Sequence, residues 1–378
     1  MKIIRNQFGI GPKVSLFTLG TMRAIESKAQ MYSVLKRACL IGINHIETAP
    51  IYGPAETFLG ESLEKLNFEG IHPQGGWIIT TKIIPNCPLA KGKKQIKGML
   101  KRLGVEKIHN LAIHGLNLST HLNWALNGDG YELFEWARDE NLIEQVGFSS
   151  HGSYSLIQSA IESNHFNFCS LHLHLLDPER IPLAQKALEK GMGVMAISPA
   201  DKGGHLHTPS QTLIDDCYPI APIEIAYRFL LSQGVSTLTI GAQSCKDLDL
   251  TSKLINANDP LRPLEKVVIS RIHSNAKRRL GNTFCGQCRE CLPCPMNVPI
   301  PEILRLRNLA IGHELQSFSK ERYNLIGKAG HWWETHNASS CQKCGDCLPR
   351  CPNNLLIPDL LEETHSELLD SPKRRLWE

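Results

Sequence analysis

Eight of the thirteen cysteines fall in two short runs near the C-terminal end of the chain. The first run reads Cys285-x2-Cys288-x2-Cys291-x2-Cys294-Pro295, and the second Cys341-x2-Cys344-x2-Cys347-x3-Cys351-Pro352. Three thiolates this closely spaced wrap three corners of an iron–sulfur cube, and a fourth cysteine followed by proline turns away to another cube. That rule puts Cys285, Cys288, Cys291 and Cys351 on one 4Fe–4S cluster, and Cys341, Cys344, Cys347 and Cys294 on the other. The proline removes a backbone donor and fixes the turn. Val298-Pro299-Ile300 and Leu356-Ile357-Pro358 offer an apolar strap to each cluster. Structural zinc is the plain alternative, but zinc joins cysteine pairs across longer loops, which these triplets fit poorly. The lone cysteines (Cys39, Cys87, Cys169, Cys217, Cys245) read as buried fillers.

Over residues 281–360 the pattern resembles the dicluster bacterial-type ferredoxins, with x2 where that family often has x3 before Cys294. The resemblance implies a small Cys-rich α+β domain that exchanges electrons with a ferredoxin or another redox protein.

Composition narrows the remaining choices. Hydrophobic residues make up 42% of the 378 and charged ones 21%, which excludes disorder as the main state. A formal net charge of +4 is too small a surplus to point to nucleic acid or an anionic membrane. No stretch approaches the ~18 apolar residues of a membrane span, and Met1–Gly20 has no signal-peptide core. The expectation is a cytoplasmic protein, in which clustered thiols bind metal or cofactor rather than pair as disulfides.

The elements that must position further chemistry precede the cysteines. Strands are expected at Leu16–Gly20, His45–Thr48, Trp77–Lys82, Ile108–His114, Gln145–Ser149, Phe168–Leu173, Gly193–Ser198 and Ser236–Ile240. Helical spacing runs between them, at Lys28–Leu40, Glu56–Leu66, Gln95–Leu103, Tyr131–Glu140, Ser155–Ser163, Glu179–Lys190 and Pro222–Ser232. Eight strand–helix units in about 250 residues give an α/β class and a (β/α)8 TIM barrel. Gly9 and Gly11 precede the first strand, so Phe8–Pro12 reads as a hairpin turn plugging the barrel bottom, not as a phosphate loop. The expected order is a barrel over 1–262, a connecting helix over 263–280, the dicluster domain over 281–360 and a tail over 361–378. Helices are expected between the cysteine runs, at Glu302–Gly312 and Glu314–Lys328. Trp332-Trp333 stand where they can shield a cluster from water.

His45-Ile46-Glu47-Thr48-Ala49-Pro50-Ile51-Tyr52-Gly53 ends the second strand, followed by Glu56 and Leu59-Gly60-Glu61-Ser62-Leu63. With Leu19-Gly20-Thr21-Met22, this is similar to the aldo-keto reductases, and the likeness covers residues 1–255. In that family an acid and a tyrosine five residues later sit at the barrel's C-terminal face. A lysine ends the third strand and a histidine the fourth, positions filled here by Lys82 and His114. The resemblance implies hydride addition to a carbonyl carbon, with Tyr52 protonating the oxygen. Lys82 would lower the tyrosine pKa from its reference of ~10. Glu47, where the family generally has Asp, would hold Lys82, and His114 would orient the carbonyl or share the proton.

The same resemblance implies NADPH, extended across the barrel mouth. In Gly147-Phe148-Ser149-Ser150-His151, Ser149 would hold the carboxamide. Ser170 and His174 align with the family's Gln and Asn, and Ile197 replaces its stacking aromatic. Gly241-Ala242-Gln243-Ser244 fits the phosphate-binding segment at a helix N-terminus, with Lys246 as the only nearby cation for a 2′-phosphate. Leu250-Thr251 stands where the family ends in Glu-Asn. A flavin can sit in a barrel mouth without leaving a motif, and none is found. His172 and His174, on one strand face, are expected to be hydrogen-bonded structural residues at the barrel top.

Together these readings describe an iron–sulfur oxidoreductase of aldo-keto reductase type. It would reduce or oxidise a small carbonyl or alcohol substrate with NADPH, with electrons passed through two 4Fe–4S clusters, or with both. The alternative is a non-turnover electron-transfer or redox-sensing module, its barrel a scaffold and its clusters a dock for a redox partner. Glu47, Ser170, Ile197 and Leu250 favour that alternative.

Overall fold

The computed structural model describes residues 3–200, 204–328 and 335–371; Trp332 and Trp333 lie outside the described residues, as does the tail from residue 372. The chain divides into two compact units, one of residues 1–173, 180–199 and 227–260, the other of residues 174–179, 200–226 and 261–378.

In the first unit, eight parallel strands close into a barrel. They are β1 (Phe17–Gly20), β2 (His45–Glu47), β3 (Ile78–Ile83), β4 (Ile108–Ile113), β5 (Ile143–Ser150), β6 (Phe168–His172), β7 (Gly193–Ile197) and β8 (Thr237–Gly241). Each falls within a few residues of its expected run, because a strand buried on both faces reads as a continuous apolar stretch. Helix Lys28–Ile41 shows how the outer ring is set. It buries Met31, Val34, Leu35 and Ala38, starts at the Ser27 hydroxyl that accepts from the Gln30 N–H, and ends at Gly42 with φ of 101°. Helix Ser119–Asn127 has no counterpart in the sequence reading; its mixed polar residues carry no clear apolar stripe.

The barrel floor is filled by the N-terminal hairpin. Arg5–Asn6 pairs antiparallel with Val14–Ser15, and the turn between them buries Phe8 fully. Its ring centroid lies 5.0 Å from Phe168 and 5.2 Å from His45. Gly9 has φ of 60°, and a β-carbon there would come 2.3 Å from the Asn167 carbonyl oxygen, so glycine is required. His45 bridges the Thr18 and Thr80 hydroxyls, each 2.7 Å away. Burial pushes its pKa down to about 3, which keeps the ring neutral. Since all the strands run parallel, their C-terminal ends share one rim.

The second unit holds helices Pro263–Leu280, Ile300–Gly312, Gln316–Tyr323 and Ile357–Leu368. The expected α+β ferredoxin-like architecture is corrected here: among the described residues of 281–371 there is no strand. Apolar residues between the runs recur at helical spacing (Ile300, Ile303, Leu304) and enter one buried cluster. The cysteine runs themselves are bent by left-handed residues and by prolines, which do not pair as strands. The last helix also carries the chain to Leu368, through part of the expected tail. Among the described residues no helix is long and apolar enough to cross a membrane.

Phe8→Ala is expected to destabilise the barrel by about 3–5 kcal/mol, read as a lower denaturant midpoint. An unchanged midpoint would show that the floor closes without the plug.

Candidate active site

β2 ends at Glu47, and Tyr52 sits in the turn that follows, its N–H donating to the Ala49 carbonyl at 3.0 Å. Lys82 comes from β3. Its ammonium donates to Tyr52 Oη at 2.9 Å and to the Thr48 carbonyl at 3.1 Å, and it forms an ion pair with Glu47. Lys82 is 3% exposed and Glu47 6%, so each desolvated charge depends on the other. Gly20, the register partner of Glu47 on β1, packs against Thr239: a β-carbon there would lie 3.0 Å from its side chain, and at an ordinary contact distance of 3.6 Å from Glu47 Oε2. His114 follows β4 and meets the Tyr52 ring edge-on, at 5.8 Å and 90°. Glu47, Tyr52, Lys82 and His114, far apart in sequence, therefore form one cluster.

Burial raises the Tyr52 phenol above its ordinary pKa. Burial thus acts against the acidification expected from Lys82. Glu47 neutralises the ammonium, so the phenol faces a pair of no net charge with little water around it. In this arrangement Tyr52 holds its proton at neutral pH.

Along the rim, Ser149 on β5 and Ser170 on β6 are register partners. The Ser149 hydroxyl accepts from the Gly115 N–H at 3.1 Å and donates to the Ile113 carbonyl at 3.3 Å. The Ser170 hydroxyl is buried and has no hydrogen-bond partner among the described residues, so a polar group reaching it would meet an unsatisfied site. His172 ends β6 and faces His151, with the Nε2 atoms 3.0 Å apart. The His172–His174 strand face is not formed, because β6 stops at His172 and His174 belongs to the second unit.

The expected phosphate segment also differs. Gly241 ends β8 and Ser244 caps the single-turn helix Cys245–Leu248. The Asp247 carboxylate accepts from the N–H groups of Gln243 at 2.7 Å and Ser244 at 3.1 Å. Those are donors that an anion at a helix N-terminus would use, and the Ser244-x-x-Asp247 capping box closes them. Lys246 is exposed on this turn, and it is not the only cation there. Arg23, in the loop after β1, lies over Gly241, where a β-carbon would meet its Cδ at 2.7 Å. Sequence reasoning missed Arg23, since only closure of β8 on β1 brings it near.

In the second unit the clustered cysteines border two recesses. Cys285, Cys288, Cys291 and Cys351 border one, with Pro301, Leu304 and Ile357. Cys294, Cys341, Cys344 and Cys347 border the other, with Ile300, Pro358 and Leu361. Each takes three cysteines from one run and the fourth from the other. The two recesses are near-equal in size, as befits a duplicated unit. Asn297 and Asn354, each three residues beyond a run's last cysteine, share a left-handed turn with φ of 52° and 51°. Both turns lead to helices that carry proline in their first turn. Burial pushes the Cys291 thiol up to about 12, so its thiolate needs a positive partner to form. Among the described residues, no three His, Cys, Asp or Glu side chains converge as they would on a single ion. Of the lone cysteines, Cys245 is exposed rather than a buried filler.

A closed parallel barrel with a Tyr–Lys–Glu–His cluster at its rim defines an oxidoreductase. The Aldo/keto reductase family model matches residues 17–261, and the chain belongs to that family. It is similar to the "Uncharacterized oxidoreductase YtbE" of Bacillus subtilis, 25% identical over 271 residues that span 66% of this chain and 90% of that protein. The holo form of aldo-keto reductase AKR11C1 from Bacillus halodurans superposes with a TM-score of 0.60 at 20% identity, covering 71% of this chain and 96% of its own. Bombyx mori aldo-keto reductase AKR2E4 in complex with NADP gives 0.57 at 18% identity, covering 72% and 93%. At such identities these two solved structures share the fold.

Glu47→Gln removes the charge that neutralises Lys82 and is expected to lower the Tyr52 pKa by about 1–3 units. A pH titration of tyrosinate absorbance, with Tyr52→Phe as reference, reads the shift. A phenol titrating where the wild type does would break the neutralisation argument.

Proposed function

We propose that this chain is an iron–sulfur oxidoreductase of aldo-keto reductase type. It interconverts a small carbonyl compound and its alcohol at Tyr52, with electrons from NADPH, from two 4Fe–4S clusters, or from both. The observation that carries the proposal is the Tyr52 hydroxyl, which accepts a hydrogen bond from Lys82 at 2.9 Å.

When bound, NADPH supplies a hydride and the clusters supply single electrons. Tyr52 would donate its proton to the carbonyl oxygen; with a hydride delivered to carbon this completes the alcohol, and with two single electrons a second proton, from solvent, would go to carbon. Lys82 stabilises the phenolate that this leaves, Glu47 fixes Lys82, and His114 orients the carbonyl beside Tyr52. The unpartnered Ser170 hydroxyl and the adjacent Ser149 support a carboxamide seat, with Gly241, Ser244, Arg23 and Lys246 for the phosphates.

The crossed sets of four cysteines support the clusters. A recess bordered by four thiols, three from one run and one from the other, suits a group with several metal corners. Tetrahedral zinc draws its ligands together. Anaerobically reconstituted protein is expected to hold about eight irons and about eight sulfides per chain. Tyr52→Phe is expected to lose about 10²–10⁴-fold in carbonyl reduction with its iron content unchanged; undiminished turnover would overturn the role of Tyr52.

A second reading, the non-turnover electron-transfer or redox-sensing module that docks a redox protein, is favoured by Asp247, whose carboxylate holds the donors a phosphate needs. Tryptophan fluorescence titrated with NADPH separates the two. On the enzyme reading Asp247→Ala binds about tenfold tighter or better, since charged hydrogen bonds are worth ~1.5–3 kcal/mol. Absence of binding in both proteins would favour the module.

A further inference from the structure

The two cysteine recesses are near-duplicates, and the inference comes from where the duplication fails. Gln287 and Lys343, one residue before the second cysteine of each run, have φ of 57° and 53°. Hydrogen bonds reach a sulfur in each: the Gln287 side chain donates through Nε2 to Cys285 Sγ at 3.3 Å, and the Lys343 N–H donates to Cys341 Sγ at 3.4 Å. Immediately after the second cysteine the runs diverge. The second has Gly345 at φ of 84°; the first has Arg289 at φ of 66°. Glycine suits that left-handed conformation, whereas a β-carbon is strained in it.

Arg289 is held there by more than its backbone. Its side chain is 20% exposed and pairs with Glu179 and, at 3.6 Å, with Glu302. Glu302 also meets Arg305 at 3.4 Å, and Arg305 meets Asp177 at 3.4 Å. Among the described residues that border the first recess, Arg289 is the only charged one, and its ion-pair partners Glu179 and Glu302 are not among them. The second recess is bordered by one charge of each sign, Asp346 and Arg350. Net local charge sets the potential of a cluster, alongside hydrogen bonds to sulfur and exposure. Here the charges bordering the two recesses differ.

Resting on the cluster reading above, we infer that Arg289 is a positioning residue that sets the two clusters apart in potential. Its cation, fixed at the recess of Cys285, Cys288, Cys291 and Cys351, makes that cluster the more readily reduced of the pair.

The test is a redox titration of anaerobically reconstituted full-length protein followed by EPR. Two separate one-electron waves are expected in the wild type. Cys288→Ser and Cys344→Ser, each altering a ligand of one cluster, assign the waves. Arg289→Gly, which suits the backbone, is expected to shift the first cluster's wave to lower potential and leave the second in place. Glu302→Gln, which uncovers more of the arginine's charge, is expected to shift the first wave upward. Unmoved waves, equal movement of both, or a first cluster reduced after the second would overturn the assignment. Material lacking iron and sulfide would instead remove the cluster reading, and the assignment with it. Should Arg289→Gly fail to fold, the upward shift in Glu302→Gln decides the question alone.

Discussion

The rim of the barrel is organised by a buried ammonium. Lys82 at 3% exposure cannot stay charged in that place without compensation, and removing one partner of such a pair costs about 3–5 kcal/mol. Three groups from the β2 end supply the compensation: the Glu47 carboxylate, the Thr48 carbonyl and the Tyr52 hydroxyl. All three are fixed by the backbone, since Thr48 also donates its N–H to the Thr80 carbonyl on β3 at 2.9 Å. Glu47 Oε1 lies 3.4 Å from Tyr52 Oη, so one carboxylate ties the cation and the phenol into a single unit.

This dependence explains what the sequence makes legible and what it hides. The eight strands were readable because burial on both faces leaves an apolar run. The four rim residues were readable because parallel strands put their ends at one level, whatever their distance along the chain. The crossed cysteine sets follow from Cys-Pro at the end of each run. The sign of the Tyr52 shift was not readable, because it turns on which charge neutralises Lys82, and that is a matter of three-dimensional contact. Arg23 was hidden for the same reason. Asp247 is a different case: the capping box stands openly at Ser244-x-x-Asp247, but its segment also matches a phosphate site, and sequence does not say which partner the N–H groups take. The absence of strand among the described residues of 281–371 was legible in the helical spacing of Ile300, Ile303 and Leu304, had that outweighed the family analogy.

Chain order and compact units do not coincide. The segment after β6, residues 174–179, and the one after β7, residues 200–226, group with the C-terminal unit rather than with the barrel they interrupt. Within that unit the segment after β6 contributes Asp177 and Glu179, which pair with Arg305 and Arg289. One of the two carboxylates that fix the arginine at the first cysteine recess, Glu179, lies more than a hundred residues earlier in the chain. The 281–360 segment alone keeps Glu302 and lacks Glu179, so a domain cut at its cysteine boundaries would lose one of the two anchors of Arg289.

Hydride-level chemistry moves electrons in pairs, whereas a cubane moves them singly. On the proposed reading, two cubanes in one compact unit together hold as many electrons as one hydride carries. If they were equivalent, a single electron would be shared between them and neither would be preferentially filled. A fixed cation at one of them breaks that equivalence, so the first electron settles at the Arg289 side and the second fills the other cluster. An ordered pair of this kind needs an asymmetry that does not relax when the charge changes. Arg289 meets that requirement because two carboxylates and a left-handed turn hold it in place, where a free lysine on the surface would swing away and be screened by solvent.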